Sequence, residues 1–196
     1  MKKILYSVII ALVISLAMTV YTDSIENDLE NNLIRLHIIA NSDSEEDQTV
    51  KLLVRDAVTS ELDCSLLSPD EAAAESARIA QRVLSDNGFD YGAYGEFTTM
   101  EFPKKEYKEL VLPAGRYKAV RIVLGNGSGH NWWCVLYPPV CMADIKGGTM
   151  SEEARRLLQD SLDEETYSLI TQSKDIKIKL RSVEIFEKIK RAVCGE

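Results

Sequence analysis

Histidine is nearly missing, with His37 and His130 the only two in 196 residues. Chemistry that needs clustered imidazoles therefore has little to draw on. No His-x3-5-His pair exists, and the Cys134-x6-Cys141 spacing is too wide for a zinc motif, so no metal is expected. Asp43 to Asp47 lacks the mid-loop glycine and closing glutamate of a calcium loop, and reads as acids gathered at a helix start. Cationic residues are also in deficit, 23 against 31 acids, for a net charge of −8. Lys2 and Lys3 precede the first acid, Asp23, so the chain beyond them is more acidic still. Such a chain repels phosphate backbones, which excludes nucleic acid as a partner. Five prolines and ten glycines are spread without repeat or low-complexity tract. Gly125-Asn-Gly-Ser-Gly129 is glycine-rich, but a strand pattern follows it. Phosphate loops lead into a helix, so this segment reads as a hairpin turn and no cofactor is expected. No Ser-His-Asp spacing or nucleophile elbow stands out.

What is present begins with MKKILYSVIIALVISLAMTVYT. Two lysines lead an uncharged apolar run from Ile4 to Val20, the pattern of a signal peptide or membrane anchor over residues 1–22. Ser15-Leu16-Ala17 is a small-x-small site of the kind a signal peptidase accepts. Residues 23–32 are polar and helix-compatible, a tether. Residues 33–196 then read as a single domain, long enough to bury a core without disulfides. Export places Cys64, Cys134, Cys141 and Cys194 in an oxidising space, where four cysteines allow three pairings.

Along that domain, Leu33 to Ala40 alternates as a strand, with Ile34, Leu36 and Ile38 on one face and Arg35, His37 and Ile39 on the other. Ser42 lies three residues before Glu45, a capping-box spacing that predicts a helix to about Leu62. Val50, Leu53, Val54, Ala57 and Val58 form its apolar stripe. Ser68-Pro69-Asp-Glu opens a second helix that stops at Asn87-Gly88. Strands are predicted over Tyr91–Phe102, Arg116–Leu124 and Trp132–Tyr137, the last ended by Pro138-Pro139. Helices around Ser151–Gln159 and Asp163–Gln172 follow, then a strand over 176–180 and a helix over 183–193. This order predicts an α+β fold, a mainly antiparallel sheet with helices packed on one face, plus C-terminal helices.

GHNWWCVLYPPVC, residues 129–141, concentrates both tryptophans, one histidine and two cysteines. A Cys–His nucleophile needs contact within about 3 Å. On an extended strand Cys134 and His130 lie roughly 13 Å apart, which argues against a catalytic pair. Cys134 and Cys141 flank two prolines that can reverse the chain, making them the candidate disulfide. Closing that loop is worth about 2.5 kcal/mol in the chain-entropy treatment. Trp132 and Trp133 project to opposite faces of the strand, and an exposed tryptophan there would suit a partner contact.

Leu33-Ile-Arg-Leu-His-Ile-Ile-Ala-Asn-Ser-Asp-Ser-Glu-Glu-Asp-Gln48, with Lys51 and Val54-Arg-Asp-Ala-Val58, resembles the opening block of the stage II sporulation protein R family. Leu112 to Gly125 and Gly129 to Cys141 resemble later blocks, so the likeness spans about 33–144. It implies a signalling protein of endospore formation, made in the forespore and exported to the intermembrane space of the sporulation septum. There it would activate a membrane-embedded aspartic-type protease of the mother cell that processes the sigma-E precursor. An activator is not an enzyme, so no catalytic residue is carried over. Arg35, His37, Asn41, Asp43, His130, Asn131, Trp132 and Trp133 become candidate partner-contact or scaffold positions. The competing readings are an envelope hydrolase using a histidine with Cys134 or an acid, and a cell-wall-binding module using the tryptophans. Peptide mapping of the exported protein without reductant is expected to recover Cys134 joined to Cys141, and free thiols at both positions would count against it.

Overall fold

The computed structural model describes residues 2–63, 66–107, 109–140 and 150–171. Cys64, Cys141 and Cys194, the strand expected over 176–180 and the helix expected over 183–193 lie outside the described residues. The elements run α1 (Lys2–Asn32), β1 (Ile34–Ile39), α2 (Glu45–Glu61), α3 (Pro69–Asp86), β2 (Ala93–Phe102), β3 (Lys105–Glu106), β4 (Val111–Leu112), β5 (Gly115–Leu124), β6 (Asn131–Tyr137), α4 (Glu152–Ser161) and α5 (Glu164–Thr171).

Four strands form the main sheet in the order β2-β5-β1-β6. β2 runs antiparallel to β5 and β6 antiparallel to β1, whereas β1 and β5 are parallel. The expected hairpin between β5 and β6 is thus not formed. β1 enters between them, and residues 125–130 cross over its C-terminal end instead of folding back in a tight turn. Leu36 and Ile38 are fully buried, and so are their neighbours Val120 and Ile122. A central strand buried on both faces is what the near-continuous apolar run Leu33–Ala40 supports.

Leu36, Ile38, Val120, Ile122, Leu124, Cys134 and Leu136 line one face, under Val50, Val54 and Val58 of α2 and Ile79, Val83 and Leu84 of α3. The buried side of α2 carries Asp47, Val50, Lys51, Val54, Arg55 and Val58. Leu53, expected in that stripe, is 42% exposed, because the helix is rotated towards Lys51 and Arg55. Its N-cap is Ser44, not Ser42: the Ser44 hydroxyl accepts from Asp47 N at 3.2 Å. The second helix starts as expected, with a capping box between Ser68 and Glu71 and proline in its first turn, and Gly88 beyond its end has φ +80°.

The opposite face is covered from both ends of the chain. Ile25 and Leu29 of α1 join Leu158 of α4 and Leu169 and Ile170 of α5 around Phe102, Tyr117, Ala119 and Val135. Residues 23–32, read as a tether, continue α1 without a break, and Thr22, Ile25 and Leu29 are buried. By length and composition the preceding part of α1 is apolar enough to cross a membrane, with Ile4 to Leu16 outside the core.

These burials order two substitutions. Ile122→Ala opens a cavity at the sheet centre and is expected to lower unfolding free energy by about 3 kcal/mol. Leu53→Ala is expected to cost less than about 1 kcal/mol, since its side chain is already half in water. Urea unfolding monitored by tryptophan fluorescence checks both, and equal losses would mean that α2 is docked by its Leu53 side.

Candidate functional site

The segment leaving β1 is the junction on which the motif residues meet. Asp47, in the first turn of α2, is 5% exposed. Its Oδ2 accepts from Asn41 Nδ2 at 2.9 Å and from Ser42 Oγ at 2.6 Å, and its Oδ1 accepts from the Tyr91 hydroxyl at 2.5 Å. Burial, the largest effect, raises the carboxyl pKa, but the hydrogen bonds from Ser42, Tyr91, Asn41 and Ser44 together outweigh it and hold the group below its ordinary value.

The crossover of residues 125–130 is stitched onto the same segment. Asn126 N donates to Asn41 Oδ1 at 2.9 Å, Ser128 N to Asn41 O at 3.1 Å, and Gly129 N to Ala40 O at 2.9 Å. His130 N donates to Asp43 Oδ1 at 2.7 Å, and the His130 ring pairs through Nδ1 with the same carboxylate. Lys51, 4% exposed, donates to His130 O at 3.0 Å and to Gln48 Oε1 at 2.5 Å. Glycine is required where the two segments touch. A Cβ at Gly129 would collide with the Ser42 carbonyl, and one at Gly125, whose φ is +54°, with the Asn41 side chain.

Across the sheet, Glu96, Arg121, His37 and Trp133 occupy one row of all four strands. Arg121 Nη1 pairs with Glu96 Oε1 at 2.7 Å. His37 stacks on Trp133, with ring centroids 3.7 Å apart and planes 7° from parallel, and its Nε2 meets Asn131 Oδ1 at 2.8 Å. Burial foremost, then the Arg121 charge, lower the His37 pKa against the opposing bond to Asn131, so the ring is neutral near pH 7. Two residues earlier Arg35 is fully buried. Its Nε donates to Cys134 O at 2.9 Å, and its guanidinium lies 4.4 Å from the Phe102 ring centre and 4.8 Å from that of Tyr117. These ring faces hold a cation that burial otherwise disfavours. On the other side of β6, Arg55 lies 4.5 Å over Trp132.

The structure therefore separates the expected residues into two groups. Asn41, Asp43 and His130 converge at the crossover, Asn131 bonds His37, and Arg35, His37 and Trp133 share a sheet face with Trp132 on the other. Asp47, Tyr91, Phe102 and Tyr117 complete both groups. Spacing could not reveal Tyr91, Phe102 and Tyr117, because each is contributed by a distant segment. The Ser42–Asp47 interval was the one local signal. Cys134 is fully buried, and His130 is paired with Asp43. Among the described residues, no cluster of three His, Cys, Asp or Glu could hold a metal ion. What the arrangement supplies is rigidity: buried donors, acceptors and rings that fix β1, α2 and β6 in one geometry.

Residues 30–147 match the family model described as Stage II sporulation protein R. The Stage II sporulation protein R of Bacillus subtilis (strain 168) is 39% identical over 135 residues, a match covering 64% of this chain and 60% of that protein. No solved structure matches. The chain belongs to the stage II sporulation protein R family, which is named for sporulation and not for an enzymatic activity.

Because the Asp47 pKa is depressed in the folded state, its contribution to stability is present above the ordinary carboxylate range, about 4, and is lost as pH falls through the depressed value. Asp47→Asn is expected to cost about 1–3 kcal/mol at pH 7 and to flatten the acid limb of the stability curve. Urea midpoints between neutral and acid pH measure this, and an unchanged acid limb would remove Asp47 from that role.

Proposed function

We propose that this protein is an exported signal of endospore formation that activates a membrane-embedded aspartic-type protease in the mother cell, and so triggers processing of the sigma-E precursor. Family membership over residues 30–147 carries the reading. The apolar helix, compatible with a signal peptide or membrane tether, supports it. In this reading the chain is not an enzyme and needs no cofactor. It acts from the forespore side, in the intermembrane space of the septum, as one signalling domain over residues 33–196. A ligand shifts its target only by binding the active conformation more tightly than the inactive one, and braced motif segments limit the entropy lost on docking.

The continuity of α1 into Ile25 and Leu29 favours retention of residues 1–22 as an anchor, since the apolar run joins the core through helix and not through a loose linker. In the oxidising space outside the cell membrane, Cys134–Cys141 is the proposed pairing of the Cys134 disulfide.

Co-production of the chain, the protease and the sigma-E precursor in a non-sporulating host tests the reading. Cleavage of the precursor is expected only when all three are present. A precursor that stays whole beside a protease shown to be competent would refute activation.

A further inference from the structure

The two edges of the main sheet are treated differently. β6 is short, its register with β1 is broken at Ile34/Arg35, and Pro138 and Pro139 follow its last residue. Arg55 and Lys105 also lie over its Trp132. Bulges, prolines and cations are the devices that keep an edge from pairing. β2, at the other edge, has no bulge, although Pro103 follows its last residue as Pro138 follows that of β6. It is ten residues long and pairs with β5 in unbroken register from Ala93↔Leu124 to Phe102↔Gly115. It contains no lysine and no proline.

The phase of its hydrogen bonds can be read from its start. Gly125 N donates inward to Gly92 O at 2.8 Å, and the next amide, Ala93 N, turns outward to Gln81 Oε1 at 2.9 Å. Antiparallel pairs alternate, so Tyr94, Glu96, Thr98 and Met100 direct their backbone groups at β5. Gly95, Phe97 and Thr99 direct theirs away from the sheet. α3 caps the first outward amide through Gln81 and packs over Gly95, where a Cβ would meet the Ala73 carbonyl. Among the described residues, no strand pairs with the outward side of β2, and Tyr94 is 60% exposed.

We propose that the outward edge of β2, at Gly95, Phe97 and Thr99, receives an extended segment of the partner protein as a fifth strand of the sheet. This rests on the reading that the chain activates a second protein. Only an extended backbone presents donors and acceptors at the spacing this edge repeats. A second copy of this chain would carry the same net charge of −8 and be repelled, whereas a segment carrying lysine or arginine is drawn to the acidic chain. The occupant is thus a basic, extended segment of the activated protease, with β-branched or aromatic side chains to pair with Tyr94, Phe97 and Thr99.

Thr99→Pro removes one outward N–H and leaves the inward ladder intact, a position where an edge strand tolerates proline. Thr99→Val keeps the N–H and removes only the hydroxyl. In the co-production assay with the full-length chain, Thr99→Pro is expected to lower precursor cleavage by about tenfold or more, and Thr99→Val to leave it near wild type. Both should keep the wild-type urea midpoint. Cleavage by Thr99→Pro within about twofold of wild type overturns strand addition while the activation reading stands. Failure of the wild-type chain itself overturns the activation reading, and the proposed occupant goes with it. Hydrogen exchange on the detergent-solubilised full chain alone adds a check that does not depend on folding of a variant. Phe97 and Thr99 amides are expected to exchange much faster than those of Glu96 and Thr98. Equal protection would show the edge already covered and overturn the proposal.

Discussion

A buried carboxylate sets the geometry of the most characteristic part of this protein. Asp47 draws Asn41, Ser42 and Tyr91 onto its two oxygens, and Asn41 in turn receives the crossover that links β5 to β6. An ionised acid out of water is costly unless each oxygen is bonded. Here the bonds come from two separate segments, Asn41-Ser42 and Tyr91, so the cost of either one leaving is borne by the buried charge. That coupling explains why a polar stretch at the end of a strand can be as rigid as a core.

The sheet depends on the same junction. Because β1 lies between β5 and β6, the connection from one to the other must pass the exit of β1, and it does so in contact with Ala40, Asn41 and Ser42. Gly125 and Gly129 make that approach possible by having no Cβ. Arg35 extends the arrangement into the lower half of the sheet, where Phe102 and Tyr117 face its guanidinium. One strand therefore carries an apolar row towards α2 and α3, and towards the other face a row of Arg35, His37 and Ile39.

Much of this was legible in the residues. The alternation of Leu33–Ala40, the Ser68-Pro69 helix start, the Asn87-Gly88 stop and the strand ended by Pro138-Pro139 are local properties, decided by pleat, cap and missing N–H. Other features were read wrongly for equally physical reasons. The glycine-rich stretch at 125–129 between two strands resembles a hairpin, since neighbours in sequence usually pair, and nothing local announces that β1 will insert. Ser42 has capping-box spacing to Glu45, yet its hydroxyl is taken by Asp47, leaving Ser44 to cap the helix. Leu53 fits the apolar stripe of α2 but loses its place because burying Lys51 and Arg55 rotates the helix.

The family, the apolar N-terminal run, the acidic balance and the type of nearly every described element follow from the sequence alone, because each is a sum over neighbouring residues. Tertiary structure alone decided that β1 separates β5 from β6, that Ile25 and Leu29 enter the core, and that Asp47 gathers the motif residues. Those outcomes arise from contacts between segments far apart in the chain, whose energies appear only when burial brings a charge, a carbonyl and a ring to the same place.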